Sequence, residues 1–181
     1  MLKQKKLSVI IALMAALSIM LAACGNAGSK PNPEVMDDIQ AAVYSELKNY
    51  LTAEGVDESL FEDGIIPGYE IFRGNKEDTG FDAMAASLMV DADAIEDMLV
   101  MRSMIIVNAD CIIVLRANDL EKAKAGLKAY HEMQLKQWES YLPDQYQKTK
   151  DTVTDAAGDY IYYVTSSIQQ EVLEAIRAEL K

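Results

Sequence analysis

Two β-rich runs lie next to each other in the middle of the chain, and they constrain the fold more than any other feature. They span Asp97 to Ser103 and Asp110 to Arg116, and the second is almost continuous in isoleucine, valine and leucine. Between them, Asn108-Ala109-Asp110 supplies residue types that are typical of turns. The pattern therefore predicts two adjacent antiparallel strands.

The segment before these strands begins with an amphipathic helix. Apolar residues recur every four positions from Pro33 to about Ala53, and acidic and amide residues occupy the other face, which is the pattern of a half-buried helix. The next segment, Gly55 to Gly80, is punctuated by glycine and proline and is expected to be irregular. Within it, Tyr69 to Phe72 has the composition of a short strand.

The segment after the two strands continues with a long helix, predicted from about Asn118 to Ser140 with Asn118 as its N-cap. Two further strands are predicted at Thr152 to Ala156 and Tyr160 to Thr165, because Gly158 supplies turn chemistry between two β-prone runs. A last amphipathic helix is predicted from Ser167 to Lys181.

Together these elements predict a single α+β domain over residues 34–181. A helix is followed by two strand-strand-helix units, an order that favours a four-stranded antiparallel sheet with helices packed on one face.

The first 23 residues are predicted to be a secretory signal peptide. Met1 to Lys6 is basic, Leu7 to Met20 is almost wholly apolar, and small residues precede Cys24, which are the three regions of such a signal. The sequence Leu21-Ala22-Ala23-Cys24 resembles the lipobox of bacterial lipoproteins. That resemblance implies cleavage before Cys24, which becomes the new N-terminus and carries a diacylglycerol on its sulfur.

Residues 24–33 are predicted to be the lipidated cysteine and a flexible tether of small and polar residues with two prolines. Acyl chains on Cys24 would hold the protein on the membrane, with the domain on the outer face of the cytoplasmic membrane. The alternatives are an uncleaved N-terminal anchor, or ordinary signal cleavage that leaves Cys24 as a free thiol.

The charge of the chain excludes one class of partner. The chain has 17 basic and 29 acidic residues, and removing a leader with three lysines and no acid leaves 14 basic residues and a net charge of −15. Nucleic-acid binding requires clustered lysine and arginine to pair with phosphates. We therefore expect no general affinity for nucleic acid.

Several segments resemble a family of small, uncharacterised lipoproteins of Gram-positive bacteria, which is defined only as a domain of unknown function. The resemblance covers the leader and roughly Asp91 to Lys181. The segments that carry it are Ser103 to Asp110, Ala117 to Asp119, Trp138 to Pro143 and Gly158 to Val164. It implies a location and a domain shape, but no activity, cofactor or catalytic residue.

Three features have residue types found in reactive or metal-binding sites, and each also has a structural explanation. His131 is the only histidine, so a histidine-based metal site is not expected, and a partly buried, hydrogen-bonded side chain is favoured. The acids from Asp91 to Asp97 lack the spacing of a calcium loop and are better explained as caps of a short helix. Cys111 lies among apolar residues, which favours a buried, inert thiol. No catalytic residue, metal site or cofactor is predicted.

Two surfaces are candidates for binding. If helices cover only one face of the sheet, Tyr160 and Tyr162 share a face that is open for stacking on a sugar ring or a peptide; the alternative is that they pack across strands and shield the sheet. The second candidate is the apolar run Met104-Ile105-Ile106-Val107, which is a partner-binding loop if it projects into solvent and core if the strands are longer.

The sequence thus favours a lipid-anchored, non-enzymatic binding or accessory module at the cell envelope, with an envelope protein, a peptide or a wall component as partner. The first alternative is a small envelope hydrolase, which requires a pocket with a nucleophile or a carboxylate pair. The second alternative is a solute-binding lipoprotein of a transporter, although 158 residues after a 23-residue leader are few for two lobes around a cleft.

Overall fold

The computed structural model describes residues 33–181, which contain five α-helices and five β-strands. The helices are α1 (Pro33–Ala53), α2 (Phe81–Ser87), α3 (Leu120–Glu139), α4 (Pro143–Lys150) and α5 (Gln169–Glu179). The strands are β1 (Tyr69–Asn75), β2 (Ile95–Ser103), β3 (Cys111–Ala117), β4 (Val153–Ala157) and β5 (Tyr160–Thr165). The predicted signal peptide, Cys24 and nearly all of the tether lie outside the described residues.

The five strands form one antiparallel sheet in the order β1-β2-β3-β5-β4. The prediction of four strands is corrected by β1, which pairs with β2 along its whole length, from Tyr69 opposite Ser103 to Asn75 opposite Asp97. Its sequence, Tyr-Glu-Ile-Phe-Arg-Gly-Asn, carries only a short β-prone run and an interior glycine. The open edge of β2 supplies the hydrogen bonds that extend this run into a full strand.

Helices cover both faces of the sheet, so the prediction that they pack on one face is wrong. One core lies between the sheet and α1 with α5, and the other lies between the sheet and α2 with α3. The central strands supply apolar side chains to both cores, as in Leu99 and Met101 on one face and Met98 and Val100 on the other. A strand buried on both faces has a nearly continuous apolar sequence instead of an alternating one, and that is the pattern of β2 and β3.

The boundaries of several elements match the sequence pattern closely. Helix α1 and strand β5 have the predicted limits. Helix α3 begins at Leu120, and its N-cap lies one residue later than predicted. The cap is Asp119, whose side chain accepts a hydrogen bond from the backbone N–H of Lys122 at 3.1 Å. The predicted cap, Asn118, instead donates its side-chain amide to Glu96. Helix α4 was not predicted: Pro143 does not only end the preceding segment but occupies the first turn of a new helix, where its missing N–H costs nothing.

The sheet has two distinct ends, the loop end and the turn end. The loop end contains the start of β1 and β3, the end of β2 and β5, and the β2–β3 loop; the turn end contains the opposite termini of these strands. Helix α1 begins at the turn end, where Arg73 of β1 bonds Asp37 at 2.9 Å, and its last turns reach the vicinity of Tyr69 at the loop end. Its 21 residues correspond to a length of about 30 Å.

Candidate binding site at the loop end of the sheet

The β2–β3 loop places four consecutive apolar side chains in solvent. Met104, Ile105, Ile106 and Val107 are between 48% and 81% exposed, with Ile106 the most exposed. The sequence left open whether this run is core or a projecting loop, and the structure shows that it projects.

The backbone of this loop is fixed on both sides by hydrogen bonds. Ser103 N–H donates to the carbonyl of Asp110 at 2.9 Å, and Met104 N–H donates to the carbonyl of Gly68 at 2.8 Å. Within the loop, Asn108 N–H donates to the carbonyl of Ile105 at 2.9 Å, and on its far side Ala109 N–H donates to the side-chain oxygen of Gln145 at 2.9 Å. The apolar side chains therefore stand on a defined turn.

Gly68 is required where the loop meets the chain that leads into β1. Its φ angle is +79°, in the left-handed region, which a glycine adopts without steric cost. A Cβ atom at this position would also lie 3.2 Å from the Cδ1 atom of Ile105. Ile105 is thus partly seated on Gly68, while Ile106 points away from the domain surface.

A polar network beneath the loop joins four parts of the chain. The carboxylate of Asp110 is only 3% exposed; it accepts hydrogen bonds from the Tyr69 hydroxyl at 2.7 Å and from Lys148 Nζ at 2.7 Å. Lys148 Nζ also donates to Asn108 Oδ1 at 3.0 Å and to Ser167 Oγ at 2.9 Å. The network ties the start of β1, the β2–β3 loop, α4 and the segment before α5 into one unit.

Burial and the adjacent charge of Asp110 act on the Tyr69 phenol of this network. The pKa of Tyr69 is raised well above its usual range, first because the phenol is buried and second because the negative charge of Asp110 is adjacent. Lys148 Nζ donates to three acceptors, which belong to Asp110, Asn108 and Ser167. The sequence did not predict the Lys148–Ser167 contact, which spans 19 residues and joins α4 to the segment before α5.

A cavity of about 210 Å³ opens beside the loop. One wall is the β2–β3 loop itself, with Arg102 and Ser103 at the end of β2. The opposite wall is a stripe of α3 formed by Tyr130, Gln134, Gln137 and Trp138, whose spacing places them on one face of the helix.

Two buried groups of the cavity lining, the Cys111 thiol and the Tyr130 phenol, are uncharged. Burial raises the pKa of the Cys111 thiol to about 11, and the thiol lies 3.5 Å from the Tyr130 hydroxyl. The pKa of Tyr130 is also raised by burial. The positive charge of Arg102 acts in the opposite direction on both groups, and Arg102 lies opposite Cys111 in the β2–β3 pairing. Cys111 is buried, as predicted, and at neutral pH its thiol keeps its proton.

Two charged side chains line the cavity, Arg102 and Asp110. The charge of Arg102 is only partly paired within residues 33–181. Its Nε atom donates to Glu70 Oε2 at 2.5 Å, while its Nη1 and Nη2 atoms have no hydrogen-bond partner among residues 33–181. The other charged residue of the lining, Asp110, is paired with Lys148.

Tyr160 and Tyr162 do not form an exposed sheet face, and that expectation is corrected. Both are buried in the core beneath α1 and α5, because helices cover the face that the sequence left open. The Tyr162 hydroxyl donates to Asp155 at 3.1 Å and accepts from Arg177 Nε at 3.0 Å. Helices, and not only neighbouring strands, cover both tyrosines, so the two side chains do not form an exposed ligand-binding face.

His131 is partly buried, as expected, and bonds to a core residue. Its Nδ1 atom lies 3.3 Å from the Tyr163 hydroxyl, and the two rings meet edge to face. Burial lowers the pKa of His131, so the neutral imidazole is favoured.

The acids from Asp91 to Asp97 also have structural partners. The Asp91 side chain caps a short 3₁₀ turn by accepting from Asp93 N–H at 3.0 Å, and Asp97 is buried against Arg73. In the described part of the chain, no group of three or more histidine, cysteine, aspartate or glutamate side chains is placed to hold a metal ion.

A second cavity, of about 360 Å³, lies beside α1 and is lined by Asp37, Gln40, Ala41, Tyr44 and Gly64. It is larger than the loop-end cavity, but its charged group, Asp37, bonds Arg73. It also lacks an adjoining exposed apolar segment comparable to Met104–Val107. The loop end is therefore the better candidate site.

None of the helices within residues 33–181 is both long and apolar enough to cross a membrane.

The comparisons with known proteins identify a family but no activity. No curated protein and no solved structure matches the chain. One family model matches residues 72–166, a range that runs from β1 to the end of β5 and contains the β2–β3 loop, Arg102, Trp138 and Lys148. This match spans more than half of the 181 residues, and the chain belongs to the family described as a domain of unknown function, DUF4358.

Proposed function

We propose that this protein is a lipid-anchored lipoprotein on the outer face of the cytoplasmic membrane, and that it binds an envelope protein, a peptide or a wall component through the loop end of the sheet. The observation that carries the binding role is the Met104–Val107 segment, in which four consecutive apolar side chains are exposed on a backbone fixed by hydrogen bonds. A contiguous exposed apolar patch of this kind is typical of an interaction site.

The energetics favour a functional reason for this exposure. Burial of apolar surface stabilises by about 25 cal/mol per Å², so a free loop gains by folding such side chains against the domain. Here the bonds of Ser103, Met104 and Ala109 and the Lys148 network hold the segment outward. The unburied apolar surface is then available to a partner.

The anchor is supported by the sequence of the leader. A basic start, a short apolar run and the lipobox-like Leu21-Ala22-Ala23-Cys24 favour lipidation of Cys24. The tether joins the domain at Pro33, the first residue of α1, and α1 begins at the turn end. The binding surface thus lies about 30 Å along α1 from the point of attachment.

Metabolic labelling tests the anchor. Cells that express the full chain are grown with an alkyne-bearing fatty acid, and the protein is examined for covalent label. The wild-type chain and a Cys111→Ala variant are expected to carry label, and a Cys24→Ala variant is expected to carry none. Label on the Cys24→Ala variant, or its absence from the wild type, contradicts lipidation of Cys24.

Site-specific photocrosslinking in living cells tests the binding surface. A photoreactive phenylalanine replaces Ile106 in one variant of the full chain and Leu60 in a control; Leu60 is an exposed apolar residue in the turn between α1 and β1. A discrete adduct is expected from position 106 and not from position 60. Equal adducts from the two positions, or none from position 106, contradict a binding role for the loop.

A further inference from the structure

We infer that the loop-end cavity receives the C-terminal residue of a peptide, with its terminal carboxylate on Arg102 and its apolar side chain against Ile105 and Ile106. This inference rests on the proposed function and specifies the partner of the same site. It joins two independent observations: a guanidinium with unused donors in the lining of a cavity, and exposed apolar side chains that line the same cavity.

Arg102 has the geometry of a carboxylate-binding group. Glu70 occupies the Nε atom and thereby fixes the plane of the guanidinium. The Nη1 and Nη2 atoms remain without partners in the described residues, and together they can donate two parallel hydrogen bonds to one carboxylate. The Arg102 side chain is about one-third exposed, so the pair would be formed in a partly desolvated site and would be screened less than a pair on the open surface.

The remaining charges of the cavity do not oppose an anion. Asp110 is the only acid of the lining, and its charge is balanced by Lys148 at 2.7 Å and by the Tyr69 hydroxyl. The α3 wall presents the neutral amides of Gln134 and Gln137. Such amides are suited to the backbone N–H and C=O groups of a bound peptide.

The size and polarity of the cavity favour a chain end over a larger ligand. Its volume of about 210 Å³ is below the roughly 300–1,000 Å³ of pockets that enclose a drug-sized molecule, so it suits one terminal residue. Its lining combines charged and amide side chains, among them Arg102 and Gln137, with the apolar side chains of the loop, which suits a chain end that carries both a carboxylate and an apolar side chain. The terminal carboxylate pairs with Arg102, and the apolar side chain lies against the Ile105–Ile106 wall.

Peptide binding to the full-length chain in lipid nanodiscs tests the inference. The probes are fluorescent tripeptides, Gly-Gly-X with X as Leu, Phe, Ala or Glu, prepared both as the free acid and as the C-terminal amide. At least one probe with an apolar C-terminal residue is expected to bind, with its amide at least tenfold weaker. An Arg102→Gln variant is expected to bind at least tenfold more weakly. The control is Arg177→Gln, since Arg177 likewise pairs with one exposed acid, Asp155 at 3.2 Å, and it should leave binding unchanged.

Three outcomes overturn the inference: none of the free acids binds, the amide binds as well as the acid, or Arg102→Gln binds as well as the wild type while remaining folded by circular dichroism. The photocrosslink from position 106 separates this failure from failure of the proposed function. If the adduct persists in the Arg102→Gln background, the loop is a binding surface but does not recognise a carboxylate. If position 106 gives no adduct at all, the binding role itself fails.

Discussion

Two aspartates, Asp97 and Asp110, are buried at opposite ends of the β2–β3 pair, and they are neutralised in different ways. Asp97, at the turn end, is 5% exposed and accepts hydrogen bonds from both Nη atoms of Arg73 on the neighbouring strand β1. Asp110, at the loop end, accepts hydrogen bonds from Lys148 Nζ on α4 and from the hydroxyl of Tyr69. The cation that pairs with Asp97 thus lies on an adjacent strand of the sheet, whereas the cation that pairs with Asp110 lies on a helix outside the sheet.

The chain segments that surround the two aspartates also differ in polarity. The connections at the turn end are polar, as in Asn75 to Gly80, where Asp78 Oδ2 accepts from Asn75 N–H at 2.8 Å. At the loop end, the network of Asp110 and Lys148 supports a loop with exposed apolar side chains. A buried ion pair lies at each end of the sheet, and the one at the loop end helps to hold the exposed apolar loop in place.

The largest effect is expected from Lys148→Met. The substitution keeps the length of the side chain but leaves the Asp110 carboxylate buried with the Tyr69 hydroxyl as its main remaining partner. Loss of one member of a buried pair costs about 3–5 kcal/mol. We expect about 3 kcal/mol in the free energy of unfolding by urea, because 18% of the Lys148 side chain is exposed.

The matched control is Lys150→Ala on the same helix, where the lysine is exposed and its Nζ atom lies 5.5 Å from the centre of the Tyr146 ring. It should change the free energy of unfolding by about 0.5 kcal/mol or less, as is usual for surface substitutions. The double variant Asp110→Asn/Lys148→Met should recover part of the loss, since no unpaired charge remains buried. If Lys148→Met and Lys150→Ala are equally stable, the network does not support the loop.

An intermediate effect on the free energy of unfolding is expected when Asp97 titrates. Its pKa is raised above its ordinary value, because burial of the carboxyl outweighs the opposing effect of Arg73. The native state then binds this proton more tightly than the unfolded state does. The contribution of Asp97 to the free energy of unfolding therefore falls as pH rises from its ordinary pKa through the raised native value.

Carboxyl carbon NMR checks the sign. Asp97 should titrate above its ordinary value, and Arg73→Gln should raise its pKa further. Asp155 is the internal comparison, because hydrogen bonds from the Ala156 N–H, Tyr162 and Arg177 lower its pKa; its stabilisation is present above its ordinary pKa and is lost on acidification. An Asp97 carboxyl that titrates at or below its ordinary value is inconsistent with this description of the turn end.

The smallest change in stability is expected from Ile106→Ala. Its side chain is 81% exposed, so truncation should alter the free energy of unfolding by less than about 0.5 kcal/mol. The matched control is Ile113→Ala in β3, where the same truncation in a fully buried site should cost about 2–5 kcal/mol. A loss of more than about 1 kcal/mol for Ile106→Ala would mean that the loop side chains stabilise the fold and are not reserved for a partner.

Local patterns predicted most of the secondary structure because each element carries its own signal. The four-residue spacing of α1 and the composition of β3 and β5 gave their limits within a residue. Strand β1 and helix α4 carry weak signals of their own. Strand β1 has polar residues and a glycine, and α4 begins with Pro143, a residue that the sequence pattern explains equally well as the stop of the preceding helix. Their structures depend on neighbours: the free edge of β2 in one case, and the contacts of Gln145 and Lys148 with the β2–β3 loop in the other.

The candidate site also combines residues that the sequence singled out with residues that it did not. The sequence singled out Met104–Ile106 as either core or binding loop, and only the packing of the strands decided between them. It offered Tyr160 and Tyr162 as an open face, although their burial depends on where α1 and α5 pack. Arg102, Lys148 and Ser167 carried no local signal, because their roles come from contacts over 19 to 40 residues of sequence.

The sequence by itself determined the order of most elements, the acidic charge and the lipobox-like leader, because these are properties of neighbouring residues and their periodicity. The tertiary structure decided that the sheet has five strands with helices on both faces, that the two tyrosines are buried, and that the apolar loop stands beside a cavity with a partly unpaired arginine. These features depend on which surfaces meet in space. The free energy of burying a side chain depends on the elements packed against it, and local sequence does not specify those partners.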